Sequence, residues 1–311
     1  MDVPVLLICF NRPNYVAQMI DEFRKNKVSE LYVFKDGPRT GNVHDEQASK
    51  EIEKLLAAID WDCNVVTNYM QNNLGCGYGP YSAISWAFQY VEDLIILEDD
   101  CVPTEQFFKF CKAMLNRYRN DSRISLISGF SRLTDPELFC GYDYIFSQYG
   151  VTWGWATWKR SWLGFDMQLR NLEVFFSDGG FQKQFLTQKQ ADFFNYRYRY
   201  FKKDADLYKH VWDIQFGLFS RVNGALRIVP SQSLIKYIGE EGTHYVKGSN
   251  TSDVFSVTAS DNFKFDVCPS EVVITPKYDE VYFDRYVYTE YRFIYRAINK
   301  IKRIVLDRNV R

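Results

Sequence analysis

The chain has 311 residues, a formal net charge of −1, and a composition that is 46% hydrophobic and 25% charged. This composition excludes an intrinsically disordered chain, and 38 basic against 39 acidic residues provide no overall field that would attract nucleic acid. The seven cysteines are odd in number and lack CxxC spacing, which favours reduced thiols over a disulfide framework.

Short apolar runs alternate with amphipathic stretches through the first hundred residues. The run at 3–10 is far shorter than the roughly 20 residues of a membrane-spanning helix, so we interpret it as a strand. Further strands are predicted at 30–35, 63–67 and 93–97, and helices at about 14–26, 44–59 and 80–91. Repeated strand–helix–strand units predict an α/β fold with a central, mostly parallel sheet flanked by helices.

The second half is less periodic. We predict helices at 104–118, 171–202 and 208–222, and strands near 123–128, 143–148 and 226–230. No Pro/Gly/Ser-rich linker interrupts the chain, which favours one domain over 1–280. Residues 281–311 are predicted to form a basic amphipathic tail. Its segment 290–306 has the pattern of a membrane-surface helix, although docking of the same face onto the domain is equally compatible with it.

Polar residues follow each predicted strand, at the edge where open parallel sheets bind ligands. The sharpest is the segment Glu98-Asp99-Asp100, directly after an apolar run. Three adjacent carboxylates repel one another unless a cation or hydrogen-bond donors lie nearby, and Mg²⁺ or Mn²⁺ prefers such oxygen ligands. A solvated acidic turn or a helix cap is the alternative.

Several motifs resemble one family of enzymes. They are ICFNRP, FKDGPR, NLGCGYG, IILEDDCVP, ISGFS, WGWATWKRSW, VWDIQ and GTH, in that order between Ile8 and His244. Together they resemble bacterial relatives of N-acetylglucosaminyltransferase I, a family of GT-A fold. Its members are metal-dependent, inverting glycosyltransferases that use nucleotide sugars.

The resemblance implies roles for individual residues. Asp100 would be the direct metal ligand, and Glu98 and Asp99 would contact the ribose or the donor sugar. Arg12 and Asp36 would hold the uracil and ribose, for which a salt bridge and a turn-forming Asp are the plainer readings. Trp153, Gly154 and Trp155 match a loop that lines the donor or acceptor pocket in the family.

Other candidates combine the resemblance with residue chemistry. In the loop NNLGCGYG, glycines permit close approach to a donor, and Asn72 and Gly75 are predicted to contact it. The family usually has basic residues where this chain has Gly77-Tyr78-Gly79, so part of a diphosphate contact is absent. Asp213 is the candidate general base, or else a helix cap. His244, in a Gly-rich loop, is a candidate for contact with the metal or diphosphate.

The sequence therefore predicts an inverting glycosyltransferase that moves a sugar from a UDP-sugar to a glycan hydroxyl with Mn²⁺ or Mg²⁺. Bacterial surface polysaccharide synthesis is the predicted setting, in the cytoplasm or at the inner face of the plasma membrane, with a lipid-linked glycan as one form of acceptor and no nucleic acid as a partner. The rival hypotheses are a sugar nucleotidyltransferase and a catalytically inactive carbohydrate-binding scaffold.

Overall fold

The first hundred residues form three consecutive strand-and-helix units followed by a fourth strand. The computed structural model describes residues 3–177, 183–203, 210–239 and 254–288. Its first elements are β1 (Val5–Cys9), α1 (Pro13–Lys25), β2 (Glu30–Lys35), α2 (Val43–Ala57), β3 (Asn64–Tyr69), α3 (Gly75–Ala87) and β4 (Asp93–Glu98). All seven occur where they are predicted, although α3 begins at Gly75 instead of at 80.

Burial explains why these segments adopt these elements. Every residue of β1 is buried, as expected for a central strand covered on both faces. In α1 the buried residues are Val16, Met19, Ile20 and Phe23, whose spacing places them on one helical face. That face packs against the sheet in the main core cluster.

The second half adds elements that alternate less regularly. They are β5 (Cys101–Pro103), α4 (Glu105–Arg117), β6 (Ile124–Ser128), β7 (Tyr144–Ser147), β8 (Trp155–Trp158), α5 (Lys159–Trp162), α6 (Glu173–Ser177), α7 (Gln188–Lys203), α8 (Asp213–Val222), β9 (Leu226–Pro230), β10 (Ile235–Tyr237) and α9 (Pro276–Tyr282). A π-helical turn, Phe283–Val287, continues α9.

Eight strands form the central sheet in the order β3-β2-β1-β4-β8-β6-β9-β7. Neighbours pair in parallel except at β8, which is antiparallel to β4 and β6, and at β7, which is antiparallel to β9. The α/β class with a mostly parallel sheet flanked by helices is therefore confirmed. Strands β5 and β10 form a separate antiparallel pair next to the end of β4.

Two features differ from the sequence prediction. The aromatic segment contains a strand, β8, which pairs between β4 and β6, so its tryptophans occupy both faces of the sheet. The single helical stretch expected at 171–202 is wrong, because α6 ends at Ser177 and α7 begins only at Gln188. The Thr187 hydroxyl accepts a hydrogen bond from the Gln190 N–H (3.2 Å) and so marks a new helix start.

The beginning of the predicted tail packs on the domain. Tyr282 and Phe283 are buried in a cluster with Tyr149 and Phe193. The rest of the tail, including 290–306, lies outside the described residues, as does His244. Among the described helices, none has both the length and the apolar character needed to cross a bilayer.

Candidate active site

The acidic segment lies beside the end of β1. Strands β1 and β4 pair in parallel with Ile8 opposite Glu98, so the residues that follow each strand emerge together. The Arg12 guanidinium reaches across this gap. It donates to Asp100 Oδ2 (2.9 Å) through Nη1, to Asp99 Oδ2 (3.4 Å) through Nε, and to Asp99 Oδ1 through Nη2. Arg12 is therefore an ion-pair partner of two of the three carboxylates.

One arginine does not neutralise three carboxylates. Burial raises the pKa of Glu98, and repulsion from Asp100 and Asp99 raises it further. Burial also raises the pKa of Asp99, against the opposing effect of Arg12. Ionisation of all three carboxyl groups is therefore unfavourable in this desolvated place, and a further cation would favour the ionised state.

The carboxylate oxygens of the acidic segment suit a divalent cation that is coordinated partly by the protein and partly by a substrate. Within the described residues, no three His, Cys, Asp or Glu side chains converge to form a closed metal site. Mg²⁺ commonly uses one or two carboxylates and completes its shell with water and phosphate oxygens. Asp100 is suited to be the protein's ligand, because among the hydrogen bonds of the described residues its Oδ1 accepts from the weak thiol donor of Cys101 (3.5 Å) and its Oδ2 accepts from Arg12.

Asp36 organises the neighbouring loop. Its carboxylate, at the end of β2, accepts hydrogen bonds from the backbone N–H groups of Gly37 (2.9 Å), Leu74 (2.8 Å) and Gly75 (3.0 Å). The side chain of Asn73 adds a fourth (3.1 Å). Asp36 thereby caps α3, which explains why the helix starts at the glycine-rich segment. Nucleotide contact by Asp36 stays a prediction.

Sequence reasoning named Asn72 and missed Asn73. The Asn72 side chain is exposed, whereas the Asn73 amide bridges the Asp36 carboxylate and the Gly37 carbonyl (2.9 Å). A second Asn beside a turn-forming Asp could have indicated this role, because Asx side chains commonly bind nearby backbone. Gly75 contributes its backbone N–H to Asp36, so that donor is already in use.

Asp213 interacts electrostatically with Glu98 of the acidic segment. It is the first residue of α8, follows Trp212 and is exposed to the adjoining cavity. The surrounding protein raises its pKa by desolvation, and its charge contributes to the raised pKa of Glu98. The fold therefore brings Asp213 and Glu98 into one electrostatic neighbourhood, as a base near a donor site requires.

The three residues of the aromatic motif have different surroundings. Trp153 stacks on Tyr237 (centroids 5.1 Å apart, planes 18° apart) and lines the cavity. The Tyr237 hydroxyl lies close to the acidic segment. A Cβ atom added at Gly239 would come within 2.5 Å of this hydroxyl and within 2.7 Å of Asp100 Oδ2. Gly154 lies between β8 and β10, with φ +67°.

Trp155 belongs to the core. It is 1% exposed and stacks on Trp212 (5.7 Å), the residue before Asp213. No face of Trp155 is open to a ligand, so it supports the start of α8 instead of lining a pocket. Of the three motif residues, Trp153 alone lines the described cavity.

A cavity of about 240 Å³ opens between α7, α8 and the end of the chain's described part. Asp213 and Trp153 form its border with the acidic segment, and aromatic and arginine side chains form the remaining wall. The aromatic part comprises Tyr149, Phe193, Phe194, Tyr282 and Tyr286, and the basic part comprises Arg132, Arg197, Arg221 and Arg227. A pocket of this size accommodates part of a sugar chain.

No protein-family model matches the chain, and no curated protein matches its sequence. Solved structures give distant matches. UDP-glucose pyrophosphorylase complexed with UDP-glucose aligns with a TM-score of 0.28 and 10% identity over 47% of this chain. The chain spans 62% of that protein's length.

Two further structures match at a similar level. The 4-diphosphocytidyl-2C-methyl-D-erythritol synthase from Anaerococcus prevotii gives a TM-score of 0.34 and 11% identity over 63% of this chain and 96% of that chain. A197 from STIV gives 0.28 and 12% over 53% of this chain and 69% of that chain. At such scores these similarities carry no argument about activity, so the relationship to N-acetylglucosaminyltransferase I stays a prediction.

Proposed function

We propose that the chain is a GT-A glycosyltransferase, with its catalytic domain at 1–280, that transfers a sugar from a UDP-sugar to a hydroxyl of a glycan with inversion. The observation that carries the proposal is the meeting of Glu98-Asp99-Asp100, Asp213 and an aromatic-lined cavity at one edge of the sheet. A transfer reaction needs a donor site and an acceptor site on either side of a base.

The donor lies along the ends of β1, β2 and β4, where open α/β sheets bind nucleotides. Arg12, Asp99 and Asp100 form one charged group there. Mn²⁺ or Mg²⁺ held by Asp100 would stabilise the diphosphate leaving group. The loop that Asp36 fixes at the start of α3 would provide the adjacent backbone, and Glu98 and Asp99 would contact the ribose or the donor sugar.

The acceptor enters from the cavity. Its hydroxyl oxygen attacks the anomeric carbon, the bond from that carbon to the diphosphate oxygen breaks, and UDP leaves. Asp213 takes the hydroxyl proton, a role that requires a carboxylate within hydrogen-bond reach of the acceptor. The raised pKa of Asp213 makes it a stronger base than an ordinary aspartate once it is ionised. Trp153 offers a flat face to a sugar ring.

The connection between β1 and α1 weighs against a sugar nucleotidyltransferase. Enzymes that clasp a triphosphate there need free backbone N–H groups in a glycine-rich turn. Here the connection contains no glycine, α1 begins with Pro13, and Arg12 is engaged with Asp99 and Asp100. A lipid-linked acceptor and membrane contact through 290–306 stay predictions.

Product analysis tests the proposal. The protein is incubated with UDP-GlcNAc, UDP-Glc or UDP-Gal, with Mn²⁺ or with a chelator, and UDP release is measured with and without a pool of glycan acceptors. Expected is Mn²⁺-dependent UDP release that rises with acceptor and falls at least roughly 100-fold in Asp100→Asn and in Asp213→Asn. Asp60→Asn is the matched control, because Asp60 is exposed and its ion-pair partner among the described residues is the exposed Arg24.

Two results would reject the proposal. Pyrophosphate release from UTP and a sugar 1-phosphate would establish a nucleotidyltransferase. Nucleotide-sugar binding without UDP release, across the acceptor pool, would indicate a catalytically inactive carbohydrate-binding protein.

A further inference from the structure

The cavity beside Asp213 is unusually basic for a sugar pocket. Arg132, Arg197, Arg221 and Arg227 line it, and Asp213 is the one acidic side chain among its described lining residues. Asp279 lies behind the wall, where it accepts hydrogen bonds from Ser147 and from the Gln148 N–H. Among the described residues, four guanidinium groups and two carboxylates therefore lie in or next to the cavity wall. Transfer of a sugar to a neutral glycan does not require this excess of positive charge.

The buried Nε–H group of Arg221 is a hydrogen-bond donor in the cavity wall without a protein acceptor of ordinary geometry among the described residues. Its side chain is buried (5% exposed), and it donates to the Gln148 carbonyl (3.0 Å) and to Gln148 Oε1. Its Nε and the hydroxyl of Tyr149 are both buried, and within the described part of the chain neither atom makes a hydrogen bond of ordinary geometry, although the two side chains interact with each other. Both residues line the cavity. Because an unsatisfied buried donor destabilises a protein, an acceptor atom supplied by a ligand would be favourable here.

Arg227 is held in place by the backbone around it. The Arg227 side chain passes between Gly150 and Gly217, where a Cβ would come within 3.1 Å of its Cδ and 2.8 Å of its Nη2 respectively. It donates to the Gly150 carbonyl. Burial and, second to it, the nearby charge of Arg221 lower the pKa of Arg227 to about 10, so the two cations repel each other. An anion between them would relieve that repulsion.

The cavity is separate from the donor site. Glu98, Asp99 and Asp100 are absent from its lining, and Asp213 and Trp153 mark the boundary. A group bound among the arginines therefore lies on the acceptor side of Asp213. The stacked rings of Tyr149 and Tyr282 (5.3 Å) add flat apolar surface for a sugar ring next to the charges.

We infer that this cavity binds an anionic sugar residue of the acceptor, whose carboxylate or phosphate contacts Arg221 and Arg227. The acceptor would thus be an acidic glycan, built from uronic acids or carrying phosphate. The assignment of this sugar to the acceptor rests on the proposed function, whereas the binding of an anionic sugar in the cavity does not.

Ligand-detected NMR tests the inference on the wild-type protein without nucleotide. The probes are methyl glucuronide, glucose 6-phosphate and methyl glucoside. We expect one or both anionic sugars to bind at least roughly tenfold more tightly than methyl glucoside, because charge-assisted hydrogen bonds are stronger than those between neutral groups. The preferred probe distinguishes a carboxylate site from a phosphate site. Equal binding of the three, or binding of none, would overturn the inference.

Variants locate the binding. Arg227→Met should abolish the preference for the anionic sugar, and Arg197→Gln, on the less buried side of the cavity, should reduce it without threatening the core. Arg199→Gln is the matched control, because Arg199 lies on the same helix, is exposed and does not line the cavity. An unchanged preference in both Arg227→Met and Arg197→Gln would contradict the assignment.

Competition with UDP separates this inference from the proposed function. Binding of UDP with Mn²⁺ that leaves the anionic sugar in place supports two sites. Displacement of the sugar by UDP would place the anion in the donor site and overturn the inference. Sugar binding without any UDP binding would leave the anionic subsite standing and defeat the proposed function.

Discussion

Replacement of Arg12 by methionine removes the only cation paired with the acidic segment among the described contacts and keeps much of the side chain's apolar volume. Asp99 is 2% exposed and Arg12 is 26% exposed in their ion pair. In the variant Asp99 and Asp100 would lose the opposite charge of Arg12 in a desolvated place, so that their ionised forms would be less favourable beside Glu98.

The expected cost follows from this burial. Removal of one partner of a buried ion pair costs about 3–5 kcal/mol, because the remaining charge stays uncompensated. Partial exposure of Arg12 allows water to screen some of that charge. We therefore expect Arg12→Met to lower the free energy of unfolding by about 2–4 kcal/mol. Arg24→Met, on the same helix, breaks an exposed pair with Asp60 and should cost about 0–1 kcal/mol.

Urea unfolding at neutral pH, followed by circular dichroism, measures both variants. A divalent cation that binds the folded acidic segment should restore part of the loss, so Mn²⁺ should stabilise Arg12→Met more than wild type. A cost for Arg12→Met that equals that of Arg24→Met would refute the reasoning. So would an Arg12→Met protein that Mn²⁺ leaves unchanged, because the carboxylates would then not behave as an unneutralised cation site.

Further predictions concern the supports of the site. Asp36→Ala removes the acceptor of the Leu74 and Gly75 N–H groups and should cost about 2–4 kcal/mol in urea unfolding, with faster hydrogen exchange at both amides; unchanged exchange would contradict the capping role. Gly154→Ala should lower the free energy of unfolding by about 2–4 kcal/mol, because φ is +67° and the new Cβ would lie 2.4 Å from Ile235 Cδ1. Gly164 also has a positive φ but open surroundings, so Gly164→Ala should cost about 1 kcal/mol. Burial raises the pKa of Asp279 to about 6, so the folded protein binds more protons than the unfolded chain between about pH 4 and pH 6. The contribution of Asp279 to the free energy of unfolding should fall by up to about 3 kcal/mol across that range and stay level above it. Asp279→Asn should remove this fall in urea titrations; an identical pH profile in the variant would contradict it.

The regular part of the fold could be predicted because burial leaves a periodic record in the sequence. Strands β1 and β4 are apolar, mostly buried runs, and α1 repeats buried residues on one face. Strand β8 could not be predicted in the same way. Its position between β4 and β6, and its antiparallel direction, depend on pairing with partners that are distant along the chain.

The site was predictable in its parts but not in their connections. The Glu98-Asp99-Asp100 segment is conspicuous because three carboxylates follow an apolar run. That Arg12 pairs with two of them depends on the register of β1 with β4. That Asp36 accepts hydrogen bonds from three donors of the loop before α3 depends on how this loop packs against the end of β2. The basic cavity left no local pattern, because Arg221 lies in α8, Arg227 in β9 and Arg197 in α7.

Calorimetric titration with UDP tests whether Asp100 belongs to a donor site for a UDP-sugar. Wild type and Asp100→Asn are each titrated with UDP in Mn²⁺ and in chelator, and thermal unfolding checks that both are folded. We expect wild type to bind UDP only when Mn²⁺ is present, and we expect Asp100→Asn to bind UDP much more weakly or not at all. Absence of UDP binding by wild type, or binding that neither the metal nor Asp100 affects, would contradict this expectation.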